Sequence, residues 1–458
     1  MNTTAAAQSA ARKPYLTGHY APVADEITAT GLTVEGHLPS ELTGSLLRAS
    51  HNPKPGVTPS HWFKGNGMVH GIRLRDGRAE WYRNRWVRTP ALDGAPYMTE
   101  HGPDFAVSTA GTHVIEHGGR LLALCESALP YELTPELDTV GAYDFGGKLK
   151  SFMTAHPKED PATGELHFFA SSPFPPFLTH YVVSPQGDLT LSQDVPGASA
   201  ALKHDFAITE HYVVFLEGSV TFDHSEASGI PYSWSDAQPC RIGVMPMGPG
   251  GAANIRWFDV EAGFGMHFAN AYEDALGRII IEGATVDRTG WQRSWNWWVG
   301  APGRGAEPNS GSRSRRWTID LTEGMAREEQ TDDLIVEFPT INETLLGRPH
   351  RYQYALAFPD DDGVGNHTFV KYDRATGARQ LRPIGVGQLP SEAVFVPAAN
   401  AAAEDHGYLL TVVSDLNTDS SRLLVLDAGD LTTAPVATVH LPRRVPAMIH
   451  GSWIPDAR

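Results

Sequence analysis

Twenty histidines stand in this chain of 458 residues, and neutral imidazole is the commonest protein ligand for transition metals. No local motif gathers them. HExxH, paired CxxC and the Asp-rich calcium loop are all missing, so zinc-protease, zinc-finger and EF-hand sites have no support. No GxxxxGK[ST] occurs, no GxGxxG lies between a strand and a helix, and GxSxG is absent, which argues against phosphate loops and a serine nucleophile elbow. A metal site here has to be assembled from distant parts of the chain. Spacing alone does not select its ligands from the twenty.

The elements that must position such ligands read as strands. Short alternating or β-branched apolar runs are separated by turn chemistry throughout. MVHGIRL and AEWYRNRWV flank RDGR; THVIEH and LLALCE flank GGR; DPATG precedes ELHFFAS, SPQGD precedes LTLSQ, DALG precedes RIIIEG, and DRATG precedes ARQLRPI. Asp-Gly, Gly-Gly and Thr-Gly supply the tight bends or positive φ that hairpins need. Strands spaced this evenly, with few helical stretches, suggest a propeller, a large barrel or stacked sandwiches, and seven blades would take about 65 residues each. The longest expected excursion is a loop from Thr289 to Arg316, where Trp291, Trp295, Trp297 and Trp298 run into a Gly/Ser/Arg-rich stretch that could roof a pocket. A second apolar cluster, Phe174 to Leu178, could form a small entrance or simply pack between strands.

Composition sets further limits. The net charge of −17 repels phosphate backbones and anionic headgroups, so nucleic acid is excluded as a partner and membrane contact is at most peripheral. Two cysteines, Cys125 and Cys240, make no disulfide framework and suit a reducing compartment. The opening MNTTAAAQSAAR has no apolar core of signal-peptide length, and no run of about 18 apolar residues could span a bilayer. A cytoplasmic protein is expected.

The segment GSLLRASHNPKPGVTPSHWFKGNGMVHGIRLRDGRAEWYRNRWVRT resembles the N-terminal signature of the carotenoid cleavage oxygenase family. So do HPKEDPATGELHFF, KHDFAITEHYVVF, HFANAYED, EFPTINET, SEAVFVP and VPAMIHGSWIPD, in order from about Tyr15 to Pro455. The resemblance implies an all-β fold: a seven-bladed propeller over residues 15–458, after a flexible N-terminus 1–14, with extended loops capping an axial metal. It further implies one Fe(2+) per chain and no organic cofactor. The family's four iron-binding histidines match His156, His204, His267 and His450, which lie 48, 63 and 183 residues apart, approximately one, one and three blades. Structural histidines are the alternative. The family's three glutamates behind those ligands match Glu126, Glu337 and Glu392, and a carboxylate there would fix tautomer and ring orientation. Thr112 matches a threonine near the open metal position.

The implied reaction is cleavage of a conjugated C=C bond by O2 into two carbonyl products. Which alkene is less evident. Lignostilbene- and isoeugenol-cleaving relatives carry a lysine just before the first glutamate, where it grips a phenol oxygen; here that residue is Cys125, which supplies no charge. An apocarotenoid or similarly soluble conjugated alkene is therefore expected, with a stilbene or phenylpropanoid as the alternative. Only VTFDHSEASGIPYSWSDAQP fills the interval where carotenoid cleavers often carry a long apolar insertion, which speaks against an intact carotene. Phe63 and Tyr97, with Cys125, are the expected pocket residues. Two other readings remain: a propeller used only as a binding module, and an iron-dependent isomerohydrolase that makes no use of O2.

Overall fold

The computed structural model describes residues 13–226, 228–301, 311–359 and 366–456. Most of the expected flexible N-terminus, and residues 302–310 of the expected excursion, lie outside them.

Among the described residues the strands form seven antiparallel blades around one axis. Blade 1 runs outward from Gly451–Pro455 through Gly44–His51, Gly67–Arg75 and Arg78–Trp86, with Thr28–Thr30 outermost. Blade 2 holds His113–His117, Arg120–Leu124, Tyr131–Leu133 and Thr139–Ala142. Blade 3 comprises Lys158–Glu159, Leu166–Ser171, Leu178–Val183 and Leu189–Asp194. Blade 4 comprises Phe206–Ile208, Tyr212–Glu217, Arg241–Pro246 and Arg256–Asp259. Blade 5 has Phe264–Glu273, Ile279–Val286, Arg313–Asp320 and the first part of the long strand Met325–Thr340. The end of that strand opens blade 6, followed by Tyr352–Ala357, Thr368–Asp373 and Arg379–Pro383. Blade 7 has Val394–Pro397, Gly407–Asp415, Ser420–Asp427 and Ala437–His440, with Val34–Gly36 outermost. This is the expected seven-bladed propeller.

Local chemistry explains the hairpins. Asp76 and Gly77 both take positive φ, the requirement of the tight turn joining Gly67–Arg75 to Arg78–Trp86. The ring then closes through Gly451–Pro455, whose Trp453 and Gly451 pair with Leu46 and Arg48, so the end of the chain completes the first blade and only short, protected edges remain. Buried Arg48 ties the same closure together, donating to the carbonyls of Glu392 (2.9 Å) and Ile449 (2.8 Å).

Neighbouring blades are held mainly by apolar side chains, for example Leu46 and Ile72 of blade 1 against Val412 and Leu423 of blade 7. The seam between blades 5 and 6 is different. Glu282, 1 % exposed, is bonded to Arg316 of its own blade (2.7 Å) and approaches His350 (3.2 Å) and Arg374 (3.4 Å) from blade 6.

The Thr289–Arg316 region departs from the expected loop, because Arg288–Trp298 is an α-helix. The Asp287 side chain accepts the Gly290 N–H at 2.8 Å, an N-cap, and Trp291, Trp295 and Trp298 recur at helical spacing on one buried face. That face joins Trp62, Phe264, Met266 and Ile449 in an aromatic roof. The Phe174–Leu178 cluster divides: Leu178 is fully buried, whereas Phe174 is 63 % exposed and touches Phe222.

Candidate metal centre

Each of the seven blades contributes one of the seven side chains singled out above. His450 immediately precedes the inner strand of blade 1, His156 and His204 stand just before those of blades 3 and 4, and His267 lies within that of blade 5. Glu126 follows Arg120–Leu124 of blade 2, Glu337 lies near the end of Met325–Thr340 in blade 6, and Glu392 precedes Val394–Pro397 of blade 7. Register shifts between Gly265 and His267, and again between Phe268 and Asn270, mark bulges. Such bulges re-aim side chains along a strand.

The four imidazoles converge. Ring centroids of His156 lie 4.5 Å from His204, 5.1 Å from His267 and 4.7 Å from His450, with 5.3 Å between His204 and His267 and 4.7 Å between His267 and His450. One ring nitrogen each of His156, His267 and His450 falls within a 4.8 Å cluster, and the Nε2 atoms of His156 and His204 are 3.1 Å apart.

Carboxylates fix three of the rings. His204 Nδ1 donates to Glu126 Oε2 at 2.6 Å, His267 Nδ1 to Glu337 Oε2 at 2.6 Å, and His450 Nδ1 to Glu392 Oε1 at 3.1 Å. An ionised carboxylate only accepts, so each Nδ1 carries a proton, and the neutral form of each ring keeps its lone pair on Nε2. The Nε2 atoms of His267 and His450 are buried without any hydrogen-bond partner among the described residues. Glu337 is itself held by Ser312 Oγ (3.1 Å) and by the Phe338 N–H (2.8 Å).

Electrostatics favour neutral imidazoles at two positions. Burial, then the three neighbouring histidines, pushes His156 well below its usual range. Burial likewise pushes His450 down to about 3 against the pull of Glu392. At His267 burial is outweighed by the Glu337 carboxylate, and the imidazole is raised. Glu392 falls to about 2, because His450 and Arg48 overcome the desolvation that opposes its charge. Neutral nitrogen donors directed inward from a rigid ring suit a divalent transition ion.

Around this centre, Thr112 accepts the His450 N–H on its carbonyl (3.1 Å) and donates its own N–H to Leu124 (3.0 Å), so its backbone joins blades 1 and 2 beside the site. Phe63 packs in the roof against His51, His61, Trp62 and Trp298. The Tyr97 hydroxyl donates to Ser127 O at 2.8 Å, and burial raises the phenol above its ordinary range, with Cys125 adding to the shift. Cys125 Sγ lies 2.9 Å from Thr109 Oγ1, and burial pushes its thiol up.

Sequence reasoning missed three neighbours of the site. Phe338 stacks on His267 with centroids 5.5 Å apart and contacts His450 at 5.6 Å, held at a φ of 54° that non-glycine residues seldom adopt. His113, bonded to Ala155 O and Ser452 Oγ, lies 5.6 Å from His450. Tyr232, in the segment after Phe222, packs against the roof cluster. The FPT string gave no signal for Phe338, because the residue before a proline is biased toward extended backbone and not toward the positive φ found here.

A closed propeller with four histidines gathered at its centre defines a candidate metalloenzyme. The family model described as RPE65, retinal pigment epithelial membrane protein, matches residues 20–455. A carotenoid cleavage oxygenase of Mycobacterium tuberculosis is 38 % identical over 99 % of this chain and 100 % of its own length. The crystal structure of Pseudomonas brassicacearum lignostilbene dioxygenase superposes with a TM-score of 0.84 at 28 % identity, covering 97 % of this chain and 99 % of the other. That of the cobalt-substituted Synechocystis apocarotenoid oxygenase does so with a TM-score of 0.81 at 27 % identity, covering 95 % and 97 %. The chain belongs to the RPE65 and carotenoid cleavage oxygenase family and is an alkene-cleaving oxygenase. No described helix is long and apolar enough to cross a membrane.

Proposed function

We propose that His156, His204, His267 and His450 hold one Fe(2+) per chain, and that the enzyme cleaves a conjugated C=C bond of an apocarotenoid-like alkene with O2. The observation carrying this reading is the pair of buried, unpartnered Nε2 atoms on His267 and His450. Leaving such an acceptor unsatisfied costs about 1 to 3 kcal/mol each, whereas a bound cation satisfies them together with His156 and His204.

Bound there, Fe(2+) supplies the position at which O2 is activated beside the alkene. The overall change is balanced without a reductant: one C=C and one O2 become two C=O groups. The protein's own part is to hold geometry and exclude water. Glu126, Glu337 and Glu392 keep three Nδ1 protons in place and so keep three lone pairs inward, which raises ligand basicity. The tryptophan roof and Phe338 surround the centre with apolar surface, and Thr112 shapes the space beside His450. Phe63, Tyr97 and Cys125 line the substrate side. The chain acts in the cytoplasm on this reading, in keeping with its two free cysteines.

A stilbene or phenylpropanoid substrate is the second reading, favoured by the full-length similarity to a lignostilbene dioxygenase. Metal analysis of purified protein, with O2 uptake and product mass spectrometry on an apocarotenal, β-carotene, resveratrol and isoeugenol, tests both. Stoichiometric iron with two carbonyl fragments from one of them supports the oxygenase and selects the branch. Failure to bind iron after anaerobic reconstitution overturns the metal assignment, and isomerisation without O2 uptake would overturn the cleavage reaction.

A further inference from the structure

A cleft of about 510 Å³ opens between the helix Arg288–Trp298 and the hairpin formed by Val220–Phe222 and Tyr232–Trp234. That volume lies in the range of small-molecule sites. Its walls include Tyr232, Trp234, Trp291, Trp295 and Gln292. Tyr232 and Trp234 belong to the same apolar cluster as Met266 and Ile449, the chain neighbours of His267 and His450. The cleft therefore adjoins the roof of the metal centre.

Tyr232 is a half-buried wall residue of this cleft. Burial raises its phenol far above the ordinary range, with the Glu126 carboxylate and Tyr97 phenol adding to the shift. It stays protonated at any physiological pH. The nearby Tyr97 hydroxyl donates to Ser127 O, and Cys125 Sγ lies in hydrogen-bond contact with Thr109 Oγ1. The Tyr232 hydroxyl makes no hydrogen bond among the described residues.

Two arginines, Arg288 and Arg293, line the same cleft. Glu126 is already bonded to His204, and Arg288 is bonded at 2.6 Å to Asp236 at the exposed outer rim. A hydroxyl, ether or carbonyl oxygen placed beside Tyr232 would accept the phenol proton. We infer that this cleft admits the substrate and that the Tyr232 hydroxyl donates to an oxygen function on the conjugated alkene, making Tyr232 a specificity-determining residue. The inference rests on the alkene-cleaving reading and adds that the substrate carries such an oxygen.

Binding can be read without turnover, because Trp234, Trp291 and Trp295 line the cleft and report ligands by fluorescence quenching. trans-Stilbene, 4-methoxystilbene and 4-hydroxystilbene are titrated at pH 7 into iron-loaded wild type and Tyr232→Phe under nitrogen. Wild type is expected to prefer both oxygenated ligands over stilbene, and Tyr232→Phe to reduce that preference about tenfold, the loss of one buried hydrogen bond of about 1.4 kcal/mol. Unchanged melting temperature and iron content show that the variant is intact. Gln292→Trp, on the exposed helix face of the cleft, checks the route: weaker binding of all three ligands is expected. An unchanged preference in Tyr232→Phe, or undiminished binding in Gln292→Trp, overturns the inference even if the enzyme cleaves alkenes. Selective binding with no cleavage of any alkene would instead overturn the reaction and leave the cleft standing.

Discussion

The imidazole of His267, from blade 5, donates Nδ1–H to Glu337 of blade 6 at 2.6 Å, across the one seam that also carries the Glu282 charge cluster. The carboxylate is fully buried and accepts in addition from Ser312 and from the backbone of Phe338. Three donors converge on one charge. Glu337→Gln keeps the shape but removes the charge that favours the inward lone pair on Nε2. Iron affinity is expected to fall about 10- to 100-fold, measured by competition with a chromophoric chelator, with a smaller change in melting temperature than His267→Ala produces.

Removing the metal should destabilise the native ring, because a ligand that binds only the folded state stabilises it by mass action. Chelation is expected to lower the melting temperature by several degrees, and iron should restore both stability and turnover. Zinc should restore stability without turnover, since imidazole sites accept it and it has no redox chemistry. Identical melting curves with and without chelator would sink the assignment of the four histidines.

The seam between blades 5 and 6 should be acid-labile. Burial opposes the Glu282 charge, yet His350, Arg374 and Arg316 overcome it and hold the carboxyl near about 2 instead of 4.5. A folded-state pKa below the unfolded value stabilises above the unfolded pKa, and the contribution is lost as pH falls from about 4.5 toward 2. Glu282→Gln should therefore be less stable than wild type at pH 7, and the gap should narrow as pH is lowered through that window. Thermal unfolding between pH 7 and pH 3 measures it; a gap that widened in acid would contradict the pairing.

Cys125 adjoins Glu126, so Cys125→Lys places an ammonium within reach of the carboxylate that orients His204. On phenolic alkenes the added charge should raise kcat/KM relative to non-phenolic ones by about tenfold, the scale of one charge-assisted hydrogen bond. Some loss of iron affinity is expected alongside, because the ammonium competes with His204 for Glu126. Steady-state kinetics on 4-hydroxystilbene and trans-stilbene separates the two effects, and an unchanged ratio would show that position 125 does not touch the phenol.

Much of this protein was legible in the linear chain. Turn residues between short apolar runs defined the hairpins, since Asp-Gly and Gly-Gly bends act locally, and ordered family motifs carried the seven-bladed fold and the seven residues that the blades bring together. Tertiary structure decided what depends on encounters between distant segments. The loop expected after Thr289 begins as a helix because its tryptophans have a roof to bury against, and Phe338 reaches His267 and His450 only through an unusual backbone angle. Tyr232 faces its cleft because a helix from blade 5 lies across a hairpin from blade 4. Ring closure is the physical reason: residues 48, 63 and 183 positions apart meet through blade geometry, which leaves no local periodicity to read.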